Sequence, residues 1–349
     1  MMSRVQSSSA VLALAAVFLV WPGQPGCFGR DAQADAPKAP AGAVAAGAKP
    51  ETAGGKTPEV LPSLSEEVIN DMVDDTKKLY ETARKGDSEA MLKLARIFLL
   101  ADGVPENMPE AFRWTKLAAD AGLPEAIYEV GIRYSNGEGV PINEAEAIKW
   151  YRKAAEKGYM KAYFQLGMVF EAGIGAPVDY LESMRWYTKA GERGDTEAQF
   201  KLGLMYREGV GVPPSPDDAV KWLKFAGDRG YALAQYDLGE MYYRGNGIKR
   251  DVNEAFKWLS KAALQGNVSA QTRLGQMYRA GEGAPADLVE SYKWLMLAYA
   301  KGDKYAGKAV DLISSKMTPE QLVDAQRKVR EFVPKPVEQK TPVLVPPTP

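Results

Sequence analysis

Asn143-Glu-Ala-Glu146-Ala147-Ile-Lys149-Trp150-Tyr-Arg-Lys-Ala154-Ala-Glu-Lys-Gly158 is the stretch whose reading decides the fold. Its tryptophan is one of six, Trp114, Trp150, Trp186, Trp222, Trp258 and Trp294, spaced 36 residues apart without a slip. The same columns surround each one. Upstream stand Asn107, Asn143, Asp179, Ser215, Asp251 and Asp287, whose side-chain oxygens can accept from the first free amides of a helix. Three positions later, Glu110, Glu146, Glu182, Asp218, Glu254 and Glu290 predict a reciprocal capping box and suit the positive end of the helix dipole. Ala118, Ala154, Ala190, Ala226, Ala262 and Ala298 share the tryptophan's face and let a neighbouring helix come close. Gly122, Gly158, Gly194, Gly230, Gly266 and Gly302 end the helix as left-handed residues.

A second helix precedes each tryptophan helix. It carries Ala126, Val130 and Tyr134 in one copy and Ala162, Leu166 and Phe170 in the next, an apolar stripe at intervals of four. Gly131, Gly167, Gly203, Gly239 and Gly275 lie inside it, although glycine costs about 1 kcal/mol relative to alanine there. That cost implies close approach of the facing tryptophan helix. Pairs such as Gly137/Gly139 and Gly173/Gly175 join helix to helix with no strand before them, which speaks against a phosphate cradle.

The 349 residues are 46% hydrophobic with a net charge of −1, a balance that gives no reason to expect nucleic acid as a partner. There is no histidine, and the sole cysteine is Cys27. Histidine-dependent nucleophilic catalysis, thiolate or imidazole zinc sites and intramolecular disulfides are excluded; no catalytic residue, cofactor or metal is assigned. Residues 1–34 read as a signal peptide, with an apolar run from Ala10 to Trp21 too short for a mature span and cleavage after Ala32-Gln33-Ala34. A lipid anchor at Cys27 is the alternative. Residues 35–62 form an Ala/Pro/Gly-rich linker expected to stay disordered. The helical array covers 63–333, with repeats at 86–121, 122–157, 158–193, 194–229, 230–265 and 266–301, and caps at 63–85 and 302–333. The first cap has Lys78 in the tryptophan register, and the last helix opens on a capping box, Thr318-Pro319-Glu320-Gln321. Residues 334–349 are a Pro-rich tail expected to be disordered.

The pattern from Ala126 to Gly158, Ala-x3-Leu-Gly-x2-Tyr-x2-Gly-x-Gly followed by Glu-Ala-x2-Lys-Trp-x3-Ala-x3-Gly with Val130 in the Leu position, resembles the Sel-one-like repeat, a relative of the tetratricopeptide repeat. The resemblance implies an all-α, right-handed superhelical α/α solenoid of six 36-residue helix-turn-helix repeats with capping helices. It further implies an adaptor or assembly scaffold with a protein partner. A cysteine-rich subset associated with penicillin binding and hydrolysis carries paired cysteines in each repeat, which this chain lacks.

A residue that returns at every period meets the same environment each time, so the tryptophan and aromatic columns are expected in the core. The basic column Arg113, Lys149, Arg185, Lys221, Lys257 and Lys293 is expected to form local ion pairs on a solvated face. Recognition is expected where repeats differ. Leu123, Ile127, Ile132, Tyr159, Tyr163 and Met168 form a candidate partner-binding patch on the first helices of the second and third repeats. Tighter packing between those repeats explains the same residues equally well. A glycan-binding alternative uses Tyr159, Tyr163, Tyr231 and Tyr243 as exposed platforms.

Overall fold

The computed structural model describes residues 64, 65, 69, 72–102 and 104–335. The expected signal segment with Cys27, the linker and the tail beyond residue 335 lie outside them. Among the described residues there are fifteen α-helices and no strand. The first helices of the six repeats are α2 (Ser88–Leu100), α4 (Pro124–Asn136), α6 (Met160–Ala172), α8 (Thr196–Glu208), α10 (Ala232–Arg244) and α12 (Val268–Ala280). The second helices are α3 (Met108–Asp120), α5 (Glu144–Glu156), α7 (Tyr180–Glu192), α9 (Pro216–Asp228), α11 (Val252–Leu264) and α13 (Leu288–Ala300). An opening helix, α1 (Asp74–Arg84), and two closing helices, α14 (Lys304–Ser314) and α15 (Pro319–Glu331), flank them. Each helix packs chiefly on its neighbours in sequence, as a solenoid requires. No helix among the described residues is long and apolar enough to cross a membrane.

The helix starts follow the expectation by half. Asn107, Asn143, Asp179, Asp251 and Asp287 accept from the amide three residues on, at 2.9–3.1 Å. The return bond of the capping box is not made. The N-cap amide is already committed to the aromatic column: Asn143 N–H donates to the Tyr134 carbonyl at 2.8 Å, and Asp179 N–H to that of Phe170 at 2.9 Å. This bond closes the inter-helix turn and frees the carboxylate for other partners. Glu146 pairs with Lys149 at 2.8 Å and Glu182 with Arg185 at 3.3 Å, the local ion pairs expected of the basic column. Ser215 does not cap either; its hydroxyl donates to Asp218 at 2.6 Å. The true capping box is that of α15, between Thr318 and Gln321.

The glycines inside the first helices mark the closest approach in each repeat. A Cβ at Gly203 would stand 2.6 Å from Leu223 Cγ, and one at Gly167 2.5 Å from the Tyr187 ring. The residue met is the one after each tryptophan, and Tyr151, Tyr187, Leu223, Leu259 and Leu295 are all buried. Five of the six tryptophans are buried too, Trp114 completely. Each seals a junction between repeats: a Cβ at Gly191, on α7, would lie 3.1 Å from the ring of Trp222 in the next repeat.

At the N-terminal end Lys78 is exposed, and the covering is done by Tyr80, whose buried ring meets Trp114 edge-on at 5.9 Å. At the other end α15 returns onto α13, where Lys328 pairs with Glu290 at 2.9 Å. Phe332 then covers Trp294 edge-on at 5.4 Å.

Candidate interaction surface

Two of the six patch residues are not on the surface. Ile127 and Tyr163 are 5% and 6% exposed, and belong to a column, Met91, Ile127, Tyr163, Gln199, Gln235 and Gln271, that is buried throughout. Its variation has a structural reason. The last carbonyls of the preceding second helix have no partner within that helix, and the polar members of this column reach back to one of them, which also accepts from the amide of the closing glycine. Tyr163 Oη donates to the Ala155 carbonyl at 2.8 Å, and Gln199 and Gln235 to those of Gly191 and Gly227 at 2.7 Å. The polar members in the later repeats are thus junction caps. Of the tyrosines expected as glycan platforms, Tyr163 is buried, whereas Tyr159, Tyr231 and Tyr243 are partly exposed; Tyr231 packs on Phe200 at 5.2 Å, and Tyr243 has the guanidinium groups of Arg250 and Arg273 within 5.5 Å of its ring centre.

The other four residues, Leu123, Ile132, Tyr159 and Met168, are partly exposed, Met168 most. Tyr128, absent from the expected patch, joins them, its ring tilted against that of Tyr159 with centres 5.2 Å apart. They interrupt a ladder. Ion pairs tie successive first helices together: Arg96 on α2 to Glu125 at 2.9 Å and to Glu129 on α4, Glu171 on α6 to Lys201 on α8 at 3.0 Å, Arg207 on α8 to Asp237 on α10 at 3.0 Å, and Glu240 on α10 to Arg273 on α12 at 2.5 Å. Burial pushes the Asp237 carboxyl up in spite of its arginine. Between α4 and α6 no ion pair occurs among the described residues, and Ile132, Tyr128, Tyr159 and Met168 take that place. Arg133 borders the gap. Its nearly buried guanidinium donates from Nε to Thr115 Oγ1 at 3.0 Å and reaches Glu138 at 3.3 Å. Burial draws its pKa down against the pull of Glu129 and Glu138. Thr115 stands where the other repeats have Tyr or Leu, and its hydroxyl supplies the buried acceptor for Arg133.

Trp186 departs from its column. It is only partly buried, contrary to the expectation for all six. Beside it stands Tyr163, the only aromatic in the junction-capping column, with ring centres 6.1 Å apart. The partly exposed indole forms one wall of an open cleft of about 380 Å³ lined also by Leu181, Glu182, Arg185, Lys189, Tyr206 and Val212. Nothing in the sequence pattern marked this cleft, because Trp186 sits among the same columns as the other five tryptophans.

Among the described residues no cluster of three or more His, Cys, Asp or Glu side chains suited to a metal ion occurs. No curated protein matches the chain. A Sel1 repeat protein from Oxalobacter formigenes matches in structure, with 33% identity and a TM-score of 0.53 over 65% of this chain and 99% of that one. A protective antigen of uropathogenic Escherichia coli displaying an SLR fold is 23% identical, with a TM-score of 0.45 over 74% of this chain and 71% of its own. The profile of the Sel1 repeat matches residues 88–123, 124–159, 161–195, 196–231, 232–267 and 268–303. With six such matches across more than half its length, the chain belongs to the Sel1 repeat family.

Proposed function

We propose that the protein is a non-catalytic, exported scaffold that holds a protein partner on the face built by its first helices, at the junction of the second and third repeats. Proteins of Sel1 repeats commonly serve as interaction scaffolds. The observation that carries this reading is the gap in the ion-pair ladder, filled by Ile132, Tyr128, Tyr159 and Met168 where the other internal junctions carry paired charges. Paired charges at the neighbouring junctions satisfy one another, whereas partly exposed apolar side chains gain from being covered.

Because Ile127 and Tyr163 are buried, the test uses two of the partly exposed members. Ile132→Lys with Met168→Lys should leave helicity and melting nearly unchanged and abolish capture of the partner. A photo-crosslinker at position 132 or 168 in native cells should capture the same protein, absent from a control at the exposed Lys308. Identical capture from all three positions would count against the site. For export, the intact mass of the native protein should correspond to a chain starting at Asp35. A retained leader would contradict secretion, and a lipid on Cys27 would identify the anchored form.

A further inference from the structure

We infer that the Trp186 cleft is a second docking site, on the second-helix face of the third repeat, for an acidic segment of a protein partner that inserts one large apolar side chain. Three observations converge on it. The first is the distribution of exposed apolar groups. Within repeats 86–301, ten large hydrophobic side chains are exposed, and six of them, Met160, Met168, Ile174, Val178, Tyr180 and Leu181, belong to the third repeat. The concentration singles out one repeat of six; Tyr180 and Leu181 of this group lie on α7, and Leu181 lines the cleft.

The second observation is the cleft itself, walled by the apolar surfaces of Leu181, Trp186, Tyr206 and Val212. Its volume of about 380 Å³ suffices for a leucine or phenylalanine side chain. The third is charge. Around the indole, three cations, Arg152, Arg185 and Lys189, stand against the carboxylate of Glu182. That carboxylate is shared: it accepts from Trp186 Nε1 at 2.9 Å, pairs with Arg185 at 3.3 Å and lies 3.8 Å from Arg152. Lys189 has no carboxylate partner among the described residues; its ammonium sits 4.1 Å from the centre of the Trp186 ring. A cation resting on an exposed aromatic face is weakly held. An incoming carboxylate draws Lys189 off the ring and uncovers the indole for an apolar side chain. The excess of positive charge disfavours basic segments by the same token.

The test uses the full chain labelled with 5-fluorotryptophan, with the Trp186 resonance assigned by its absence in Trp186→Phe. The probes are acetyl-Asp-Phe-Asp-Leu-Asp-amide and its twin acetyl-Lys-Phe-Lys-Leu-Lys-amide. The acidic peptide should shift the Trp186 signal saturably and leave the five buried tryptophans unmoved. Its affinity should fall about ten-fold or more in Lys189→Glu, an exposed position, and fall again in about 0.5 M sodium chloride. No saturable shift, an equal response to the basic twin, or an affinity indifferent to Lys189→Glu would overturn the proposal. Ile132→Lys with Met168→Lys should leave this titration unchanged, so failure here and failure of the first-helix site are separately visible.

Discussion

Gly203 and Trp222 show how little room a single position has in this array. The α-carbon of Gly203 faces Leu223 so closely that an added methyl would overlap its Cγ at 2.6 Å. Alanine is the better helix former by about 1 kcal/mol, so propensity alone predicts that Gly203→Ala stabilises. Overpacking should win, with a net loss of about 1–3 kcal/mol read from the urea midpoint. A gain in stability would show that the two helices separate easily. Trp222, nearly buried between repeats, should lose about 3–5 kcal/mol on truncation to alanine. Trp186→Ala should lose less, about 1–2 kcal/mol, because its ring is only partly covered. Equal losses at the two positions would contradict the distinction drawn between them.

The element most exposed to its conditions is α15, held to α13 through Glu290. Burial alone would raise that carboxyl, but hydrogen bonds and charge from Lys328 and Lys293 outweigh it and leave the pKa lowered. A carboxyl held low in the folded state stabilises fully above its unfolded pKa of about 4.3, and this contribution is lost as pH falls through the lower folded value. Amide exchange in α15 should therefore accelerate in acid more than exchange in α8, and Glu290→Gln should remove most of that difference. Exchange in α15 that is indifferent to acid would refute the anchoring role. Helix ends also show what a sequence withholds. The asparagine and aspartate caps and the closing glycines were legible because each acts on its own helix. The missing return bond at Glu146 and Glu182 was not, because the N-cap amide is taken by a carbonyl of the preceding helix, a contact formed only when the turn closes.

At the scale of the whole molecule, a period of 36 residues made the solenoid readable, since every repeat reports the same packing. The surface was only partly readable, for the complementary reason. Irregular positions mix two causes, recognition and adjustment of the junction, and Ile127 and Tyr163 turned out to serve the second. Ile132 and Met168 vary in the same way along the chain yet are partly exposed, because five residues further along the same helix they stand on a different face. Recurrent residues form the core, and the third repeat breaks the rule at one indole. Acrylamide quenching of the folded chain carrying Trp21→Phe tests this most directly. One quenchable tryptophan is predicted, disappearing in the further variant Trp186→Phe; several quenchable tryptophans, or one that persists in that variant, would contradict it.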